Sequence, residues 1–340
     1  MTPTLSVRTG VSARHPQRGL SLIELMIALT IGMLIMAALG ALMLSITRNN
    51  SELAKANAQI ENGRFAIQLL QNDLVHAGFW GGVTPKIPSA IPDPCLAVAG
   101  WDATYKANML GVPVMGYSSS SIVSSSTCTT GTPAPISQTP QTNSDVLVVR
   151  HANTCVTGVG CDGDTTANPD KGPHIQVSRC TTSSEKAYLI EIDADDLTLT
   201  NKDCAAPAAA RKVVSNIYYV KDNTLMRSAL VDGAYQTQPL IEGIEALRFE
   251  YGIDSTGDGS PDGLYVPCDP CALAQLANVV AVKVHVLARN LEATPGYKDS
   301  KTYQLGATSY TVPTADAGFK RHVFSTTVRL VNPSGRREVP

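Results

Sequence analysis

The sequence predicts an α+β chain. A long N-terminal transmembrane and stalk helix is followed by a β-rich head built on antiparallel sheet. Three observations predict it. An uncharged apolar run extends from Leu25 to Ile46, a heptad-spaced amphipathic stretch follows from Ser51 to Ala77, and beyond that short β-branched segments alternate apolar with polar residues. With 340 residues and 44% hydrophobic content there is enough material for a core. The net charge of −2 provides no dense basic face, which argues against a nucleic-acid binder.

The first segment, "MTPTLSVRTGVSARHPQRG", holds Arg8, Arg14 and Arg18 and no acid, so the positive-inside rule keeps it cytoplasmic and sends the rest of the chain outward. A cleaved secretory signal would have a shorter apolar core ending at a small-residue site, and this run continues without such a break. An ordinary single-pass anchor is the plain reading, but Glu24 sits badly in it. A carboxylate within a membrane segment costs about 3 kcal/mol and marks function. All eight cysteines, Cys95, Cys128, Cys155, Cys161, Cys180, Cys204, Cys268 and Cys271, follow the apolar run, as expected for an oxidising far side. Their even number permits complete pairing, for example Cys155 with its close neighbour Cys161, but spacing alone leaves the connectivity open.

"RGLSLIELMIAL", Arg18 to Leu29, resembles the class III signal of type IV prepilins: a basic leader ending in Gly, then an apolar helix with Glu at its fifth position. The resemblance implies that a prepilin peptidase cuts between Gly19 and Leu20 and that Leu20 becomes the N-methylated first residue. Glu24 is then the fifth. The commonest first residue in that family is Phe, from which Leu20 departs. In similar pilins the Glu pairs with the N-terminal amine of a neighbouring subunit. This offers a physical role for Glu24, because an unpaired charge in the dry core of a filament is very unfavourable.

In the stalk, Leu53, Ile60, Ile67 and Leu74 recur every seven residues, with Ala56, Gly63, Leu70 and Ala77 on the adjoining seam. A continuous helix from Ser21 to Ala77 would extend on the order of 85 Å. "AGFWGG" ends it. A loop-rich region follows, in which Tyr117 to Ser144 is low in complexity, rich in Ser, Thr and Pro, and expected to be an exposed loop. Strands are expected at "DVLVVR" (from Asp145), "AYLIEI" (from Ala187), "NIYYV" (from Asn216), "LRFEYGI" (from Leu247), "VVAVKVHVLAR" (from Val279) and "VFSTTVRLV" (from Val323). The expected divisions are a leader (1–19), the transmembrane and stalk helix (20–78), the loop-rich region (79–144) and the β-rich head (145–340). "GRFAIQLLQNDLVHAGFWG", "IYYVKDNTLMRS", "PLIEGIEALRFEYGIDSTGDG" and "FSTTVRLVN" resemble the body of PilW-type minor pilins.

Other motifs compete for a role. "DSTGDGSPDG" places oxygen side chains at Asp254, Thr256, Asp258 and Asp262 in the D-x-[DNST]-x-D-G pattern that suits a hard cation, so calcium is the one cofactor suggested. The bidentate Glu of an EF-hand is absent, and Asp-Gly pairs also favour ion-free turns. "DGDTTANPD", Asp162 to Asp170, is a weaker version. "CDPC", Cys268 to Cys271, reads as a structural disulfide before a redox pair or half a zinc site. The six histidines show no paired metal spacing, and no G-x-S-x-G elbow occurs. Glu242 and Glu245 are expected at exposed strand edges, and "SGRRE" as a solvated tail.

The resemblance implies a minor pilin of the type IV pilus, not an enzyme, anchored in the inner membrane with a periplasmic head and then carried to the pilus at the cell surface. Its implied partners are prepilin peptidase, other minor pilins and the major pilin, in a priming or tip complex that supports pilus biogenesis, twitching motility or adhesion. No small-molecule substrate is expected. A J-class-like pseudopilin of type II secretion and a membrane-anchored periplasmic enzyme are the alternatives.

Overall fold

The computed structural model describes residues 19, 21–130, 134–136, 139–158, 172–181, 184–263, 265–269 and 271–338. The chain divides into two compact units, Met1–Ala54 and Lys55–Pro340. The first helix, α1 (Leu22–His76), runs through the boundary. Within the first unit its apolar window has a mean hydropathy of 2.4 and none of it is buried, so by length and composition it can cross a membrane.

Within the second unit α1 buries Gln59, Gly63, Ala66, Leu70 and Leu74. Gly63 lies against the ring of Phe324, which leaves no room there for a Cβ. The buried stripe therefore follows the adjoining seam of the expected stripe, joined by Leu74 of the heptad line. Ile60 is 40% exposed and Ile67 only partly buried, whereas Gly63, Leu70 and Ala77 of the adjoining seam are buried. Two physical reasons account for this. A strict heptad line drifts by about 20° per heptad around a straight helix, and close approach to a sheet selects small residues. The helix ends at Gly78, whose φ of 71° is the left-handed conformation that favours glycine. Trp80 follows, buried, with its indole N–H donating to the Leu110 carbonyl at 3.1 Å.

Strands β1 (Val114–Ser118), β2 (Asp145–Ala152), β3 (His174–Val177), β4 (Tyr188–Glu191), β5 (Ala210–Lys221), β6 (Thr224–Val231) and β7 (Ala234–Glu242) form one antiparallel sheet in the order β1-β2-β5-β3-β4, with β6 joining β5 to β7. Strands β8 (Ile244–Ile253), β9 (Val266–Pro267), β10 (Val279–Arg289) and β13 (Arg321–Arg329) form a second, in the order β13-β10-β8-β9, while β11 (Thr302–Leu305) and β12 (Thr308–Thr311) make a separate hairpin. The β5–β6 turn places Asp222 and Asn223 at φ 48° and 58°, the conformation of a two-residue hairpin turn. The architecture is the expected one: a long apolar N-terminal helix, packed within the second unit against antiparallel β-rich structure.

The stretch between the helix and β2 is more structured than its composition implies. It holds α2 (Ala103–Gly111), capped by the Asp102 carboxylate accepting from Tyr105 N–H, and the edge strand β1. In the low-complexity part, Ile122, Cys128 and Ile136 are buried among exposed Ser and Thr, so an exposed loop is not what forms. Sparse apolar anchors and one disulfide are enough to hold a polar segment down.

Candidate functional site

Gly19 is exposed, whereas Leu20 and the leader lie outside the described residues. Ser21 stands just before α1, its carbonyl accepting from Leu25 N–H at 3.1 Å and its own N–H donating to Glu24 Oε2 at 2.9 Å. This is half of a capping box: a carboxylate three residues into the helix satisfies an orphan donor at the end where the helix dipole favours negative charge. Glu24 is thereby held in the first turn, and from Leu25 to Ile46 no other charge follows.

The loop 254–263 turns its carboxylates on itself. Asp254 accepts the N–H of Gly257 at 2.6 Å and of Gly259 at 3.0 Å, and lies 3.4 Å from the Arg337 guanidinium. Asp262 accepts the N–H of Ser255 at 2.7 Å and of Thr256 at 2.8 Å, and the Thr256 hydroxyl at 3.1 Å. These bonds, led by those from Ser255, hold the Asp262 carboxyl below the usual carboxylate range. Asp258 accepts from Ser260 N–H at 2.8 Å. Asp254, Thr256 and Asp262 are thus brought together by a hydrogen-bonded turn, and Asp258 is satisfied locally. The weaker run from Asp162 to Asp170 lies outside the described residues. Among the described residues one group of His, Cys, Asp or Glu ligand atoms gathers within 4.8 Å, Asp93 with Cys95 and Cys128. Those two sulfurs are joined to each other, so the group offers no thiolate.

The cysteines are Cys95–Cys128, Cys180–Cys204 and Cys268–Cys271 pairs, and Cys155 is also disulfide-bonded. Cys161 lies outside the described residues. The "CDPC" motif therefore closes on itself and offers no thiolate for half a zinc site.

Three buried polar clusters escaped the sequence reading. Arg321 pairs with both oxygens of Glu245, at 2.5 and 3.0 Å, and with Asp299 at 3.3 Å, while Tyr310 and Tyr303 donate to the two carboxylates at 2.7 and 2.8 Å. Glu245 is accordingly buried and not at an exposed edge, because β8 points it inward toward Arg321 of β13; Glu242 is exposed as expected. Arg150 is wholly buried and donates to Ser215, the Asp93 carbonyl and the Tyr105 hydroxyl. Asp73, near the end of α1, accepts from His151 at 2.9 Å and Asn216 at 3.0 Å. Burial opposes a charge on His151, but the hydrogen bond and charge of Asp73 outweigh it and raise its pKa. One signal was legible: Arg150 and His151 interrupt a strand whose residues are all buried. "SGRRE" is not a solvated tail, since Arg337 donates to the Ala277 carbonyl and Arg336 to that of Gly78, both at 2.9 Å.

Residues 217–332 match the family model described as Type IV Pilus-assembly protein W, and residues 14–40 match the Prokaryotic N-terminal methylation motif. No curated protein matches the chain. Among solved structures, a type IV-like pilin from Thermus thermophilus aligns over 81% of this chain and 97% of its own, at 12% identity and a TM-score of 0.35, too distant a likeness to carry an argument. The family matched is structural and not catalytic. The methylation-motif match takes in the start of the capped apolar helix and the other match takes in the second sheet, so in these two parts the chain is similar to PilW-like type IV pilins and pseudopilins.

Proposed function

We propose that this chain is the precursor of a minor pilin that helps to start or cap a type IV pilus. The single observation that carries the reading is Glu24, placed in the first helical turn inside the matched methylation motif. Prepilin peptidase would cut between Gly19 and Leu20 and methylate Leu20. Cutting there creates a cation at the helix end where the dipole disfavours it, and Glu24 of an adjacent subunit, held next to an uncharged run, can offset that cation. The charge pair then sets register between neighbours, which are other minor pilins and the major pilin. The same helix anchors the subunit in the inner membrane before assembly, with the head in the periplasm, a placement supported by the oxidised cysteines of the head.

Intact mass and N-terminal analysis of membrane-extracted protein from cells with and without prepilin peptidase test the processing. A chain beginning at methylated Leu20 only when the peptidase is present is the expected result, and Met1 in both strains would defeat the reading. Glu24→Val should still be processed yet fail to enter filaments. If deleting the gene abolishes protein secretion and leaves pili intact, the subunit belongs to a type II secretion pseudopilus instead.

A further inference from the structure

A groove of about 480 Å³ opens on the head where the loop 84–88, the end of α2, the segment 274–279 and the C-terminal turn Val331–Gly335 meet. This is the size range of ligand sites. Its walls are apolar and stiff, with Pro85, Pro88, Pro113 and Pro333 beside Leu276. Ile87, on the rim, is 94% exposed. Three cations share this groove: Lys86, Arg336 and Arg337.

Two of these cations, Lys86 and Arg336, have no carboxylate partner among the described residues. Arg337 has the Asp254 carboxylate at 3.4 Å, with the Ala277 carbonyl and Asn278 completing its bonds. Arg336 is half-buried and bonded to the Gly78 carbonyl, and among the described residues it has no carboxylate partner. Burial, then the charge of Arg337, pushes the Arg336 guanidinium down from its usual range. The neighbouring acid Glu338 is taken by Arg329. Lys86 is exposed. A half-buried guanidinium with no carboxylate partner gains from one that arrives, and its planar fork suits it.

We propose that this groove docks an extended acidic peptide segment of a partner protein, its carboxylates held by Arg336 and Lys86 and its apolar residues by the proline wall. A nucleic acid fits less well, since phosphates spaced along a strand need a track of cations, and here three converge on one concave patch of a chain with net charge −2. The inference goes beyond the assembly reading and does not depend on it, because α1 contributes nothing to the groove lining.

The test uses the full-length protein in detergent micelles and a fluorescein-labelled peptide of alternating Glu and Pro, with its Gln–Pro counterpart as control, read by anisotropy. The Glu–Pro peptide should bind and the Gln–Pro peptide should not. Lys86→Glu and Arg336→Gln should each weaken binding about tenfold or more, while Lys298→Glu, away from the groove, should leave it unchanged. Lys86 is exposed, so its variant keeps the fold even if Arg336→Gln does not, and a thermal melt separates the two cases. No binding of the Glu–Pro peptide, equal binding of the Gln–Pro peptide, an equal effect of Lys298→Glu, or stronger competition by a single-stranded oligonucleotide would each overturn the proposal.

Discussion

The two halves of α1 are one helix in two environments. In the first unit large side chains such as Leu34 and Met36 are 70% and 72% exposed, and apolar residues occupy every face. In the second unit one stripe is buried, and its members are chosen by size as much as by hydropathy. Gly63 and Ala66 are inside, while the larger Ile60 and Phe65 are 40% and 53% exposed. Hydropathy therefore identifies the half that needs lipid or neighbouring helices. Shape identifies the packing face of the half that meets the sheets.

The contrast can be broken most severely at Leu70, which is fully buried. Leu70→Ala should cost the head about 2–5 kcal/mol in chemical denaturation. In the first half, Leu34→Arg should raise the cost of membrane insertion by about 3 kcal/mol, seen as reduced membrane fractionation, and leave the melting of the head unchanged. Gly63→Val should overpack the helix against Phe324 and cost about 1–3 kcal/mol, and pairing it with Phe324→Ala should restore part of the loss. If the single variant melts like the wild type, the close approach is not what selects glycine there.

Smaller again is the pH response of the clasp at the end of the helix. The folded pKa of His151 is raised, so its stabilisation is fully present below the unfolded histidine value of about 6.5 and is lost as pH rises through the folded pKa. Denaturation across that window should show wild-type protein losing stability toward higher pH, and Asp73→Asn should flatten the response. Ile60→Ser, on the outward face, should change stability by no more than about 0.5 kcal/mol.

Several elements were legible because their signals are local. Val279 to Arg289 forms the strand that its β-branched alternation implies, and "DVLVVR" extends by two residues to Ala152. The short strands β1, β3, β9, β11 and β12 were not anticipated, since so few residues hold little periodicity of their own, and neither were the longer β6 and β7, which carry no run of β-branched residues. Glu245 and the arginines of "SGRRE" were misjudged for another reason: charged residues read as exposed until a partner is known. At the candidate assembly site, Glu24 and its offset from Gly19 stood out in the sequence, whereas the bond from Ser21 N–H to its carboxylate required coordinates.

What the sequence by itself determined is the spanning run, the acid in its first turn, the glycine that stops the helix and the antiparallel β-rich character of the head. Each follows from interactions among residues within a turn or two, or from the transfer of one segment between water and lipid. Only the tertiary structure decided which face of the helix packs, which cysteines pair, and that Arg321 meets Glu245, 76 residues away. It also decided that Lys86 and the C-terminal arginines share one groove. Those outcomes depend on strand register and on the fit of distant surfaces, which local periodicity does not encode.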